Sequence, residues 1–259
     1  MAESAVIRPA LAHAVERMMG TVVGIHVAEP TTPMSTVEAA FAAIRDVDAR
    51  FSPFKPDSEV SRLIRGELDE ADLSADLTDV LGLCESVRLL SDGAFDVRRH
   101  RPDGRPDPTG IVKGWAVERA ARLLEAAGAS SFAINAGGDV VVRGEPSPGR
   151  PWRVGIQHPL EPARVARVLL LSDGAVATSG IYERGLHIVD SRTGRPPCGL
   201  LSLTVVGPSL TYADAFATAA FAMGPDGVAW VARQQGYGAF AVTEDHRSVW
   251  TPLVDRLLD

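Results

Sequence analysis

Two polar side chains interrupt an apolar helical segment near the C-terminal third of the chain. Asp214 and Thr218 are four positions apart, so they share one face of a helix. Their neighbours Ala213, Ala215, Phe216, Ala217, Ala219, Ala220 and Phe221 are all apolar. Burying an unpaired carboxylate is costly, so Asp214 needs a partner. A hard divalent cation such as Mg²⁺ is one, because it prefers carboxylate and hydroxyl oxygens. The structural alternative is an Asp that caps the helix from its first turn, with Thr218 bonding back to a carbonyl.

Three further clusters carry candidate chemistry. Residues 107–114, Asp-Pro-Thr-Gly-Ile-Val-Lys-Gly, form a loop of small residues that opens a helix. Free N–H groups at a helix start favour an anion, and Lys113 adds positive charge. A phosphate site and an ordinary capped helix with a solvated lysine both fit this segment. Residues 135–139, Asn-Ala-Gly-Gly-Asp, read as a tight structural turn between two apolar runs. His187 follows the run Ala177-Thr-Ser-Gly180 and Tyr182-Glu-Arg184, and enters a short strand between polar turns. The common nucleotide, metalloprotease and nucleophile signatures GxGxxG, GxxxxGK[ST], HExxH and GxSxG are absent from the sequence.

These groups need a scaffold, and apolar periodicity predicts one. A strand is expected over 22–27. A helix should follow Ser35, with Glu38 completing a capping box and Val37, Phe41, Ile44 and Val47 on its inner face. That helix should stop before Phe51. A second helix is expected over 77–90, with Leu77, Leu81, Cys84 and Val87 on one face and Gly93 beyond it. Residues 98–108 must be a loop, and a third helix spans 113–127. Strands are then expected at 132–135, 140–142, 152–157, 165–171, 175–178, 187–189 and 201–206. Helices at 212–223 and 226–235 and strands at 239–242 and 248–251 complete the series. Strands mostly follow strands, so the fold class is α+β with mainly antiparallel sheets.

The chain has 259 residues, 46% hydrophobic and 23% charged, enough for one sizeable core and read as a single domain over 1–259. Its formal net charge of −7, without a Lys/Arg-rich run, argues against nucleic acid as a partner. No stretch approaches the roughly 18 apolar residues of a membrane span. No signal pattern opens the chain, and the two cysteines, Cys84 and Cys198, suggest no disulfide framework. A cytoplasmic setting is the expectation.

The clusters, taken together and in order, resemble the motif series of the ApbE-like flavin transferases. Met19-Gly-Thr resembles the opening MGT. Phe54-Lys-Pro-Asp-Ser-Glu59 resembles Y-[RK]-P-D-S-E, with Phe in the Tyr place. Gly93-Ala-Phe-Asp96 resembles G-x-[FL]-D, and residues 107–114 resemble D-x-x-G-x-x-K-G. Residues 135–139 resemble N-A-G-G-D. Residues 177–184 resemble A-T-S-G-x-Y-E-R, and residues 187–194 resemble H-I-[IV]-D-P-[RK]-T-G with Ser191 in the Pro place. Residues 213–218 resemble A-D-A-x-A-T. Only ten residues separate Asp96 from Asp107, where many members of the family carry a long insertion.

The resemblance implies an ApbE-like fold in which sheets and helices enclose a flavin cleft. It implies a Mg²⁺-dependent FAD:protein FMN transferase, with Mn²⁺ as the alternative ion. FMN would pass from FAD to a Ser/Thr hydroxyl of an acceptor protein through a phosphoester bond, releasing AMP. Met19, Phe54, Ala94, Phe95, Asp96, Asp107, Lys113 and Ile188 would line the FAD site. The metal would be held by Asp214, Thr218 and the carbonyl of Gly110. His187 is the candidate general base, since its ordinary pKa of about 6.5 suits proton transfer near neutrality, with Asp190 or a carboxylate of the acceptor protein as alternatives. Asp214 is the second catalytic candidate, through the metal. An FAD pyrophosphatase releasing free FMN and AMP, and a flavin-binding protein without catalysis, are the rival activities.

Overall fold

The computed structural model describes residues 12–99, 103–181 and 188–259. Strands β1 (Ala12–Met18) and β2 (Thr21–Val27) form a hairpin turned by two residues, Met19 and Gly20, at φ 53° and 71°. Paired positive φ values match the right-handed twist of the strands they join. Strand β1 lay outside the sequence-based expectation, because its His13, Val15 and Arg17 face outward and dilute its apolar signal.

Helix α1 (Met34–Phe51) starts and ends differently from the sequence reading. Its N-cap is Pro33 without a side-chain cap, and Glu38 pairs with Arg45 rather than closing a capping box. Phe51 lies inside the helix and is fully packed, because burying its ring outweighs the breaker signal of Ser52-Pro53. Val37, Phe41, Ile44 and Val47 are buried as the spacing predicts.

A short helix, α2 (Glu59–Arg65), was not foreseen. Ser58 caps it by accepting from the Ser61 N–H at 3.0 Å, and Gly66 ends it at φ 77°. Glu59 accepts from the Ser74 hydroxyl at 2.7 Å, and Ser74 in turn caps α3 (Ala75–Leu90).

Helix α4 (Thr109–Ala126) begins one turn before the expected Lys113, so Gly110 and Lys113 both lie in its opening turns. Asp107 receives the Thr109 N–H at 3.1 Å, which satisfies one of the orphan donors of the helix start. Strands β3 (Phe132–Ala136) and β4 (Asp139–Arg143) follow, then the hairpin of β5 (Trp152–Gln157) and β6 (Val165–Leu171), and β7 (Gly174–Gly180). Strand β8 (Leu200–Gly207), helices α5 (Leu210–Ala222) and α6 (Asp226–Ala232), strands β9 (Gly238–Thr243) and β10 (Ser248–Trp250) and helix α7 (Pro252–Asp255) close the chain. Ile188 and Val189 lie outside any strand, unlike the expected strand 187–189.

Eight strands form one wholly antiparallel sheet in the order β1-β2-β3-β4-β7-β8-β9-β10, and β5–β6 is a separate hairpin. Alternation of side chains sends Val141, Ala175, Ala177, Leu203, Val205, Ala239 and Ala241 toward the helices. It sends Val140, Val142, Val176, Val206, Phe240 and Val242 toward the hairpin and α7. Two cores on opposite faces of one sheet result, which confirms the α+β class. No helix among the described residues is long and apolar enough to cross a membrane.

Candidate active site

Helices α4 and α5 approach so closely that one residue must lack a side chain. A Cβ on Gly114 would lie 2.6 Å from the Leu210 carbonyl oxygen and 2.9 Å from Cβ of Asp214. At this crossing the Gly114 N–H donates to Oδ2 of Asp214 at 3.0 Å. Asp214 is buried, 8% exposed.

The cap of α5 comes from elsewhere. Buried Glu118 of α4 accepts from the Thr211 N–H at 2.9 Å, the Thr211 hydroxyl at 2.7 Å and the Ser209 hydroxyl at 2.6 Å. A carboxylate at a helix N-terminus also meets the positive end of the helix dipole. Asp214 is therefore not the capping residue, and the structural alternative weighed for it does not hold.

Glu118→Ala strips the acceptor from three donors. We expect a loss of about 2–3 kcal/mol of stability, or roughly 5–10 °C in Tm for a chain of this size. Thermal melts check this, and Glu118→Gln, which keeps an acceptor, should lose less.

Beside the α4–α5 crossing lies a cavity of about 450 Å³. Asp214, Thr218, Gly110 and Lys113 all border it. Phe54 stands at its rim, 84% exposed, where the turn between α1 and α2 delivers it. Ala94, Phe95 and Asp96 form another wall, held by the Ser91 hydroxyl accepting from the Phe95 N–H at 3.1 Å. A Cβ on Gly110 would come within 3.1 Å of the Phe95 ring, so glycine makes room for it.

Asp107 also borders the cavity, and its N–H donates to the Val97 carbonyl at 2.9 Å. That bond closes the base of the short connection after Asp96. Ile188 borders the cavity with its neighbour Ser191, whose N–H donates to the Ala94 carbonyl at 3.3 Å.

One expected residue among those described does not border the cavity. Met19 occupies the β1–β2 turn and packs against the helix-side core, outside the lining of the cavity. The hairpin geometry decides its place, since it supplies the first of the two turn residues. His187 lies outside the described residues. Asp190 does not line the cavity; Arg192 grips its carboxylate at 2.8 and 2.9 Å and holds its pKa below the usual range. That makes it a poor proton acceptor.

Sequence reasoning missed Glu118 and gave Asp139 no chemical role, reading residues 135–139 as a structural turn. Asp139 lies 2.6 Å from Lys113 Nζ, and its Oδ1 accepts from the Thr178 N–H at 3.2 Å. Glu118 caps α5, as described. The usable signal was the one that exposed Asp214: an acid on a buried, apolar face.

The described walls carry three carboxylates, Asp96, Asp107 and Asp214, against the one ammonium of Lys113, itself paired to Asp139. Among the described residues, no three His, Cys, Asp or Glu side chains gather to hold a metal. The expected donor set has one carboxylate, one hydroxyl and one carbonyl. Such a set suits Mg²⁺, which takes one or two carboxylates and completes its shell with water and substrate phosphates.

A family model described as the ApbE family matches residues 19–101 and 97–241. The FAD:protein FMN transferase of Escherichia coli (strain K12) is 32% identical over 165 residues, 60% of this chain and 47% of that protein. The chain thus spans about half the length of this curated relative. The Haemophilus influenzae FAD:protein FMN transferase is 26% identical over 275 residues, 82% of this chain and 79% of its own. Among solved structures, the ApbE protein of Thermotoga maritima superposes with a TM-score of 0.86 at 23% identity, covering 96% of this chain and 100% of that one. The flavin transferase ApbE from Vibrio cholerae gives 0.83 at 22% identity, covering 96% and 99%.

Proposed function

The chain belongs to the ApbE family, and from that premise we propose that its cavity binds FAD and passes FMN to a Ser or Thr hydroxyl of an acceptor protein, releasing AMP. One observation carries the reading: Asp214 and Thr218, one helical turn apart, border the same cavity as Gly110 and Lys113 at the start of α4. Oxygen donors for a hard cation and an ammonium for a phosphate thus share one wall.

Charge supports a metal requirement. The described walls are negative on balance, and the FAD diphosphate brings about two further negative charges. Attraction from Lys113 alone does not offset that repulsion. The residues we propose as ligands are Asp214, Thr218 and the Gly110 carbonyl. When bound, Mg²⁺ (or Mn²⁺) would neutralise diphosphate charge and polarise the phosphorus under attack. Lys113 would stabilise the oxygens that gain charge as AMP leaves.

Phe54, exposed at the rim, offers a flat apolar face for a ring of the dinucleotide. Phe95 and Ile188 would pack along it, and Asp96 and Asp107 would accept hydrogen bonds from its polar groups. His187 remains our candidate base ahead of Asp190, which is committed to Arg192, and a carboxylate of the acceptor protein is the alternative.

The test incubates the protein with FAD, Mg²⁺ and a candidate acceptor protein with an accessible Ser or Thr. We expect a covalently fluorescent acceptor band and stoichiometric AMP. Free FMN with AMP and no labelled band would instead mark a pyrophosphatase. FAD binding without AMP release would mark a non-catalytic flavin protein.

A further inference from the structure

We infer that Asp139 is a positioning residue that holds Lys113 in working orientation, an inference that rests on the proposed flavin transfer. Asp139 opens β4, and its side chain is 1% exposed. Its Oδ2 lies 2.6 Å from Lys113 Nζ, and its Oδ1 accepts from the Thr178 N–H at 3.2 Å. Thr178 belongs to β7, and its hydroxyl is fixed to that of Thr204 in β8 at 2.9 Å. One buried carboxylate therefore links the lysine of α4 to the sheet.

The β3–β4 turn is built to put the carboxylate there. Gly137 and Gly138 adopt φ 63° and 102°, and a Cβ on Gly137 would lie 2.3 Å from the Thr21 hydroxyl oxygen. The Asn135 side chain accepts the Gly138 N–H at 2.9 Å. A segment that reads as a plain turn is thus a mount for an acid.

A lysine has a flexible four-carbon stem, and an unheld ammonium spreads over many rotamers. Clamped by Asp139, Nζ is delivered at the cavity wall without paying that entropy on substrate binding. The pair is close to neutral from a distance. Lys113 therefore acts as a placed donor rather than as a long-range attractor of anions.

The test is a double-mutant cycle in the full chain, with FMN transfer and Tm measured on each protein. Asp139→Asn keeps the shape and an acceptor for Thr178 but removes the charge that holds Lys113. We expect kcat to fall by roughly tenfold to a hundredfold, with the KM for FAD unchanged or lower because a negative charge has gone. In a Lys113→Met background the same substitution should leave kcat unchanged, because the ammonium it would hold is gone, and Tm reports that each protein is folded.

A purely structural Asp139 would lower activity by the same factor in both backgrounds, and that additivity overturns the inference. So does a wild-type kcat in Asp139→Asn. If Asp139→Asn does not fold, Asp139→Glu, which keeps the charge but displaces Nζ, takes its place. Its kcat loss must vanish in Lys113→Met. An unaltered protein that transfers no FMN overturns both readings; transfer with additive effects overturns this one alone.

Discussion

Asp214→Asn should abolish the proposed flavin transfer while leaving the protein folded. The substitution keeps the volume of the side chain and an oxygen that can accept the Gly114 N–H, the contact that docks α4 on α5. It removes the one carboxylate of the proposed metal ligand set. A bound cation contributes several kcal/mol to phosphoryl transfer, so AMP release from FAD should fall roughly a thousandfold, at 1.36 kcal/mol per tenfold. Saturable dependence on Mg²⁺ should vanish with it.

Tm without added metal should stay within a few degrees of the unaltered protein, because Glu118 rather than Asp214 caps the helix. Two measurements decide the matter: AMP release against Mg²⁺ concentration, and a thermal melt. Ordinary Mg²⁺-dependent turnover in Asp214→Asn would remove the carboxylate from the metal assignment.

Much of this arrangement is legible in the sequence, for reasons that differ from part to part. Strands 152–157 and 165–171 are read to the residue, since alternation and flanking turn residues mark both ends. The inner face of α1 follows from Val37, Phe41, Ile44 and Val47, whose spacing has one low-energy solution. Its start does not, because Pro33 takes the N-cap position without a side-chain cap, although Ser35 offers the stronger local signal. Helix α2 is seven residues long, too short for periodicity to signal.

The site divides in the same way. Asp214 stands out because it is an acid among alanines, and Lys113 because it follows a helix start. Glu118 goes unnoticed and Asp139 reads as part of a turn, because their purpose appears only when a second element arrives: Thr211 for one, Lys113 for the other. Met19 takes the first position of the β1–β2 turn and is not among the residues that border the cavity, which its motif alone does not reveal. Local pattern finds residues whose chemistry contradicts their neighbourhood. It does not find residues whose chemistry is explained by a distant partner.

Gly114→Ala should be among the most damaging single-carbon additions in the protein. Its φ is that of an ordinary helix, so alanine is favoured there by intrinsic propensity by about 1 kcal/mol. Packing reverses the sign. The added Cβ would sit 2.6 Å from the Leu210 carbonyl oxygen and 2.9 Å from Cβ of Asp214, and backbone cannot swing aside as a side-chain tip can.

Relief requires α4 and α5 to move apart. Such overpacking costs about 1–3 kcal/mol, or up to roughly 10 °C in Tm. Separation also lengthens the 3.0 Å bond from Gly114 to Asp214 and shifts Asp214 relative to Gly110 and Lys113. A displacement of about 1 Å in such a constellation lowers turnover on the order of a hundredfold.

The two effects separate by temperature. Well below the reduced Tm, where Gly114→Ala is fully folded, the stability loss is silent and the lost turnover persists. Assay of FMN transfer at such a temperature, beside a melt of the same sample, reads both. Full activity there would mean that the spacing of the two helices does not set the position of Asp214.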